Sequence, residues 1–278
     1  MQIGIRLHDT KEVPFEERLM NAKKDGFSCV HFALAKTKGL PKERENLTPG
    51  YAMYLRNAFK KADIDPAVLG CYLNLGDTDQ ESLKETKLMY RAHIRMASIL
   101  GCGIVGTETG ALNHEYSYDK DRNRSREALD YFIENLRDVV NDAEKFGVIL
   151  AIEPVYKHIV YSPERAVEVL KRIGSPNLQI IFDPVNLIDP EDESSRDDII
   201  ERTIDMLGEN IAMIHLKDYR ITDGKMECMA CGFGDMDYMK VLKFAKERKP
   251  YIQATLENTN PGNAMLAAEH IRKIYDRI

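Results

Sequence analysis

Apolar, β-rich runs alternate with helix-patterned segments eight times along this chain, and that alternation limits the fold more than any other feature. The runs are Ile3–Leu7, Cys29–Ala33, Ala67–Leu73, Ile104–Thr107, Val148–Ile152, Leu178–Phe182, Ala212–Leu216 and Ile252–Leu256. They are almost continuously apolar, as parallel strands buried on both faces are. The periodicity predicts helices over Phe15–Lys24, Tyr51–Ala62, Glu81–Leu100 and Arg126–Phe146, then over Glu164–Ile173, Asp197–Leu207, Tyr238–Lys246 and Gly262–Asp276. Thr48-Pro49, Ser162-Pro163 and Asn260-Pro261 each offer an N-cap oxygen followed by proline at the first helical position. Eight βα units with no composition break between them mean one domain over residues 1–278, either a closed barrel or a doubly wound sheet. No G-x-G-x-x-G follows the first strand, so the dinucleotide-binding sheet loses its best support. A single (β/α)8 TIM barrel is expected, and 278 residues suit a fold that commonly takes about 250.

Loop lengths indicate which end of the barrel works. Helix-to-strand connections are terse: Gly101-Cys102-Gly103, Gly147 alone, and Gly208-Glu209-Asn210. Strand-to-helix connections are long, at 36–47, 108–124, 187–196 and 217–237. TIM barrels build their sites from the strand-to-helix loops. The charged stretch Pro190–Asp198, which overlaps the third of them, reads as a solvated face.

At 44% hydrophobic and 30% charged residues, the chain has enough apolar material for a sizeable core. A net charge of −6 argues against a nucleic-acid surface as the main feature of the chain. No apolar run approaches the roughly 20 residues that span a bilayer, so no membrane partner is expected. The opening MQIGIRLHDT has no basic segment followed by an apolar stretch, so no signal peptide is expected. Five scattered cysteines (Cys29, Cys71, Cys102, Cys228, Cys231) fit a reducing compartment, and a cytoplasmic location follows.

Four successive strands end in a metal-binding residue type. The fifth ends in Glu153, the sixth in Asp183, the seventh in His215 and the eighth in Glu257, each after residues suited to a barrel interior. Burying a carboxylate costs several kcal/mol unless something compensates it. Three carboxylates and an imidazole buried together call for a cation among them. Three oxygen donors and one imidazole suit Mn²⁺, Mg²⁺ or Co²⁺ better than the sulfur-rich sites of structural zinc do.

The sequence around these residues resembles the xylose-isomerase-like, or sugar phosphate isomerase/epimerase, superfamily, which also contains endonuclease IV. Ala151-Ile152-Glu153-Pro154, Phe182-Asp183-Pro184-Val185-Asn186, Ile214-His215-Leu216-Lys217-Asp218, Gly232-Phe233-Gly234-Asp235 and Leu256-Glu257-Asn258 carry the resemblance, which covers essentially the whole chain. The resemblance implies one Mn²⁺ or related ion on Glu153, Asp183, His215 and Glu257, with the two glutamates as acid and base on opposite sides of a sugar. It implies a homo-oligomer as well. The chemistry expected is polarisation of a carbonyl by the metal, removal of the adjacent proton by one glutamate, and a metal-bound cis-enediolate. Reprotonation on the opposite face epimerises; return of the proton to the neighbouring carbon isomerises.

Two positions depart from the family's ketose epimerases. Asn186 stands where many have a substrate-contacting histidine, and Ile159 replaces a frequent glutamate. Lys217 and Arg220, close after His215, are candidates to hold a substrate hydroxyl, carboxylate or phosphate. His158 and Glu108 are further substrate-contact candidates. His8 and His31 read as barrel-mouth or interior histidines rather than ligands, and Cys228-Met229-Ala230-Cys231 is a lone C-x-x-C with no second pair. His114, Tyr116 and Tyr118 are placed to form a lid, and the basic stretch Lys36–Arg44 to attract an anion. Alternatives to an isomerase or epimerase are a lyase or dehydratase of the same superfamily (inosose dehydration or C-glycoside cleavage) and a non-catalytic sugar-binding protein. Endonuclease-IV-like hydrolysis is disfavoured, because extra histidines are missing at Asn74 and Asn186 and the charge is acidic.

Overall fold

The computed structural model describes residues 1–278. Eight parallel strands close into a barrel: β1 (Gln2–Arg6), β2 (Cys29–Phe32), β3 (Asp65–Gly70), β4 (Ile104–Glu108), β5 (Ile149–Glu153), β6 (Leu178–Phe182), β7 (Ile211–Leu216) and β10 (Gln253–Leu256). The first strand meets the last in register, Gln2 opposite Gln253 and Ile5 opposite Leu256, so no edge remains open. Helices α1 (Phe15–Lys24), α2 (Pro49–Ala62), α3 (Gln80–Leu100), α5 (Arg126–Phe146), α6 (Pro163–Ile173), α7 (Arg196–Leu207), α8 (Met239–Arg248) and α9 (Ala264–Arg277) surround it, with a short α4 (Lys120–Arg124) in the fourth strand-to-helix loop. The expected (β/α)8 barrel is the fold, and no helix is long and apolar enough to cross a membrane.

Side-chain alternation along the strands makes two cores. Val68, Ala151, Ile181 and Met213 form a dry plug inside the barrel. Their strand neighbours Leu69, Ile152, Phe182 and Ile214 face outward into the larger core beneath the helices. Two residues beyond three of the plug residues stand Glu153, Asp183 and His215. The same alternation that fills the barrel therefore aims these polar groups into its mouth.

Local signals set the helix boundaries. Thr48 Oγ1 accepts from Tyr51 N at 3.2 Å and Ser162 Oγ from Arg165 N at 3.3 Å, each with proline opening the helix. The third expected cap is corrected. Asn260 Oδ1 accepts from Gly262 N at 2.8 Å, which closes a turn, and α9 starts only at Ala264. An asparagine side chain bonds its own backbone two residues on more readily than it opens a helix across Pro-Gly. Ser162→Ala should lower stability by about 1 kcal/mol in urea melts, the usual loss for an N-cap oxygen.

The long loop after β7 contains an antiparallel hairpin, β8 (Asp218–Thr222) and β9 (Lys225–Met229), which the apolar pattern did not reveal. The buried Asp218 fastens it, accepting from Tyr219 N and Met236 N at 2.8 Å and from Gly232 N at 2.9 Å. Gly234 packs against the same place: a Cβ there would lie 2.2 Å from Tyr219 O and 2.5 Å from Asp218 Oδ1. Because the obstruction is partly backbone, Gly234→Ala should cost about 1–3 kcal/mol, read as a lowered melting temperature.

Candidate metal and substrate site

Glu153 closes β5, Asp183 follows β6, His215 lies in β7 and Glu257 follows β10. All four are almost completely buried at the carboxyl mouth of the barrel. His215 Nδ1 lies 3.3 Å from Glu153 Oε2 and 3.3 Å from Glu257 Oε1, yet neither of its ring nitrogens has an aligned hydrogen-bond partner. Asp183 Oδ1 accepts from Val185 N and Asn186 N at 2.9 and 3.1 Å. That leaves Oδ2 without a hydrogen bond of good geometry, though Lys217 Nζ stands 2.9 Å away. Ligand atoms of Glu153, Asp183 and His215 lie within 4.8 Å of one another, as do those of His31, His215 and Glu257.

The electrostatics follow from crowding. Burial opposes the His215 imidazolium, but Glu257, Glu153 and Asp183 together outweigh it and push its pKa up to about 9. Burial, helped by the other carboxylates and opposed by Lys217, raises Asp183 to about 6. Burial acts against the Glu257 anion too, but His215, Lys217, Arg6 and His31 hold it well below the usual carboxylate range. Buried nitrogen and oxygen atoms with no aligned partner, amid three carboxylates, form a donor set that could hold a divalent cation. The residues fit the metal expected of them.

Beside this cluster lies a polar cavity of about 200 Å³. Among the substrate-contact candidates, Asn186, Lys217 and Glu108 line it. Asn186 Nδ2 donates to Glu153 Oε1 at 2.6 Å, and Lys217 Nζ donates to Asn186 Oδ1 at 2.7 Å, 3.6 Å from Glu257 Oε2. Glu108 accepts from Tyr116 OH at 2.9 Å, and burial, partly offset by that bond and by Lys217, raises its pKa. Tyr116 adopts a left-handed backbone (φ 55°), uncommon for a bulky residue, to make the contact. His158 stands behind Glu108, its Nε2 3.9 Å from the carboxylate, and burial lowers its pKa to about 4.

Arg220 is not brought into the cavity. The hairpin turns its exposed side chain outward, where Nη2 donates to Phe233 O at 3.0 Å. Of the lid candidates only Tyr116 reaches the site; His114 pairs with Asp77 at 3.1 Å and Tyr118 packs against Tyr156. From the basic stretch, Lys36 lines the cavity, while Lys38 and Arg44 pair with Glu12 and Glu85. Cys228 also lines it; Cys231 is buried, and both thiols are free.

Three wall residues were passed over as site candidates in the sequence. Arg6 Nη1 lies 3.4 Å from Glu257 Oε2, while Asp9 accepts from Arg6 Nε at 2.9 Å. His31 stacks on His215 with ring centroids 5.2 Å apart, and its Nε2 meets Tyr72 OH at 3.0 Å. An arginine at the end of an otherwise apolar first strand was the legible signal for Arg6. Tyr72 gave none, because tyrosine is ordinary at a strand end.

Solved structures with the same architecture include a D-tagatose 3-epimerase-like protein, 21% identical with TM-score 0.79, covering 100% of this chain and 98% of that one. The IOLI protein, solved with a zinc atom, is 18% identical with TM-score 0.71, covering 100% and 96%. A probable 3-DHS dehydratase from Bacillus anthracis is 13% identical with TM-score 0.74, covering 100% of both chains. At these identities the likeness shows the fold. The family model for the xylose isomerase-like TIM barrel matches residues 19–275, and the chain belongs to that family.

Proposed function

We propose that the protein is a divalent-metal-dependent isomerase or epimerase of a sugar, sugar phosphate or keto-polyol, in which Glu153 and Glu257 move the proton. The single observation that carries this reading is the pair of buried carboxylates flanking His215, both 3.3 Å from its Nδ1, at the wall of a polar cavity. Glu153, Asp183, His215 and Glu257 would hold the metal, which supplies Lewis acidity toward a substrate carbonyl; Mn²⁺ is the ion that the family resemblance favours, and Mg²⁺ and Co²⁺ suit the same donors.

The chain's own groups divide the remaining work. Glu257, kept ionised by Arg6, Lys217 and His215, is ready to accept a proton from the carbon beside the carbonyl. Arg6, itself gripped by Asp9, fixes the orientation of that carboxylate. Glu153 faces the cavity from the other side of His215, with its Oε1 held by Asn186; in epimerisation it supplies a proton of its own to the opposite face, and Glu257 keeps the one it took until exchange with solvent resets both. Lys217, Asn186 and Glu108 line the cavity, which supports Lys217 and Asn186 as partners of substrate hydroxyls and Glu108 as an acceptor from another. Five unpaired cysteines support a reducing, cytoplasmic setting.

Incubation of metal-loaded protein with ketoses, ketose phosphates and inososes in D₂O tests the reading. Deuterium appears at the carbon next to the carbonyl of the responsive compound; no exchange with any of them contradicts it. A second reading, dehydration or lyase chemistry, is favoured by two residues. Asn186 cannot carry charge, and the fully buried Ile159 stands where the ketose epimerases that the chain resembles often have a glutamate. There the proton is lost and the group β to the carbanion leaves with its electron pair, so an unsaturated or shortened product distinguishes it.

A further inference from the structure

Pockets that bury most of a small molecule span roughly 300–1,000 Å³. The polar cavity, at about 200 Å³, falls short of that range. A second cavity of about 380 Å³ opens beside it, and the two have Lys36 and Tyr72 as common walls. The walls of this second space are largely apolar, made by Ala33, Ala35, Cys71, Leu73, Met89 and the Tyr72 ring. Lys42 and Glu43 stand on one side with opposite charges. Burial keeps the Cys71 thiol protonated and lowers the pKa of His93, so both present uncharged surfaces.

Tyr72 becomes the partition because of Gly70. A Cβ at Gly70 would lie 2.6 Å from Tyr72 Cε2 and 2.9 Å from His31 Nε2. Without one, the ring folds back over the end of β3. Its hydroxyl meets His31 Nε2 at 3.0 Å, and Lys36 Nζ lies 5.2 Å from the ring centroid. One side chain thus presents a polar tip to the carboxylate cavity and an apolar body to its neighbour.

We propose that the second cavity is a subsite for an uncharged aryl or alkyl group carried by the substrate, whose sugar portion occupies the cavity between Glu153 and Glu257. The sugar half of this assignment rests on the function proposed above. A second sugar unit is a poor occupant, since its hydroxyls would find few partners on such walls and would be buried unpaired. An aryl ring needs none and can lie against Tyr72.

Calorimetric titration of the Mn²⁺-supplemented full chain with methyl and phenyl β-D-glucopyranoside tests the subsite. The phenyl compound should bind about tenfold more tightly. Ala35→Trp, which fills the cavity from an exposed position, should erase that preference while methyl glucoside binds as before. Met89→Trp, on α3, is the second filling variant, and circular dichroism establishes that each is folded. Equal affinity of the two glucosides, no binding of the phenyl compound, or an undiminished phenyl preference in both folded variants overturns the subsite. Deuterium exchange with the ketose panel on the same samples reads the proton-transfer function separately. Exchange without phenyl preference overturns the subsite alone, and phenyl preference without exchange overturns only that function.

Discussion

Glu257→Gln should leave the barrel folded and cut deuterium exchange into a responsive ketose by about 10²- to 10⁴-fold, the usual contribution of a general acid or base. The amide keeps the shape of the carboxylate, so Arg6 and Lys217 retain an oxygen to contact, but it cannot accept a proton from carbon. Arg6→Met separates charge from positioning. It removes the guanidinium 3.4 Å from Glu257 without touching a proposed ligand, so Glu257 titrates closer to its ordinary range. Its activity–pH profile should therefore shift its acid limb toward higher pH, with a smaller loss at pH 8. A Glu257→Gln enzyme as active as wild type contradicts the assignment of this carboxylate to proton transfer.

Metal affinity should climb with pH by about tenfold per unit until near pH 9, because binding must displace the proton from His215. The sign follows from linkage. The His215 pKa is raised from 6.5 to about 9 in the folded, metal-free protein. Its imidazolium therefore contributes stability that is fully present below pH 6.5 and lost as pH rises through about 9. A cation replaces that positive charge among the carboxylates. Metal-free protein should thus lose several degrees of melting temperature between pH 6.5 and 9, while saturated protein keeps them. Calorimetry in buffers of different ionisation enthalpy should show close to one proton released per ion at pH 7. A pH-independent affinity would place the ion elsewhere.

The barrel and its three inward acids and one histidine were legible for one physical reason. Buried parallel strands carry few polar residues, so Glu153, Asp183, His215 and Glu257 stand out at or close to the ends of apolar runs. Alternation then fixes which way they face, and the plug of Val68, Ala151, Ile181 and Met213 lies below them. What sequence could not supply were contacts made across strands. Arg6 reaches Glu257 only because β1 closes against β10, a pairing between opposite ends of the chain. The stack of His31 on His215 likewise joins strands distant in sequence. Arg220 looked promising from its closeness to His215, but the β8–β9 hairpin turns it outward, and nothing in the apolar pattern announced that hairpin. Asn260-Pro261 carried a helix-start signal that a local turn captured instead.

Titration of metal-stripped wild-type protein with Mn²⁺, Mg²⁺ and Co²⁺ reaches the central claim most directly. One ion should bind per chain and raise the melting temperature, and both effects should weaken sharply in Asp183→Asn, whose Oδ2 is the carboxylate oxygen left without a hydrogen bond. Absence of binding by all three cations, with the melting temperature unmoved, would contradict it.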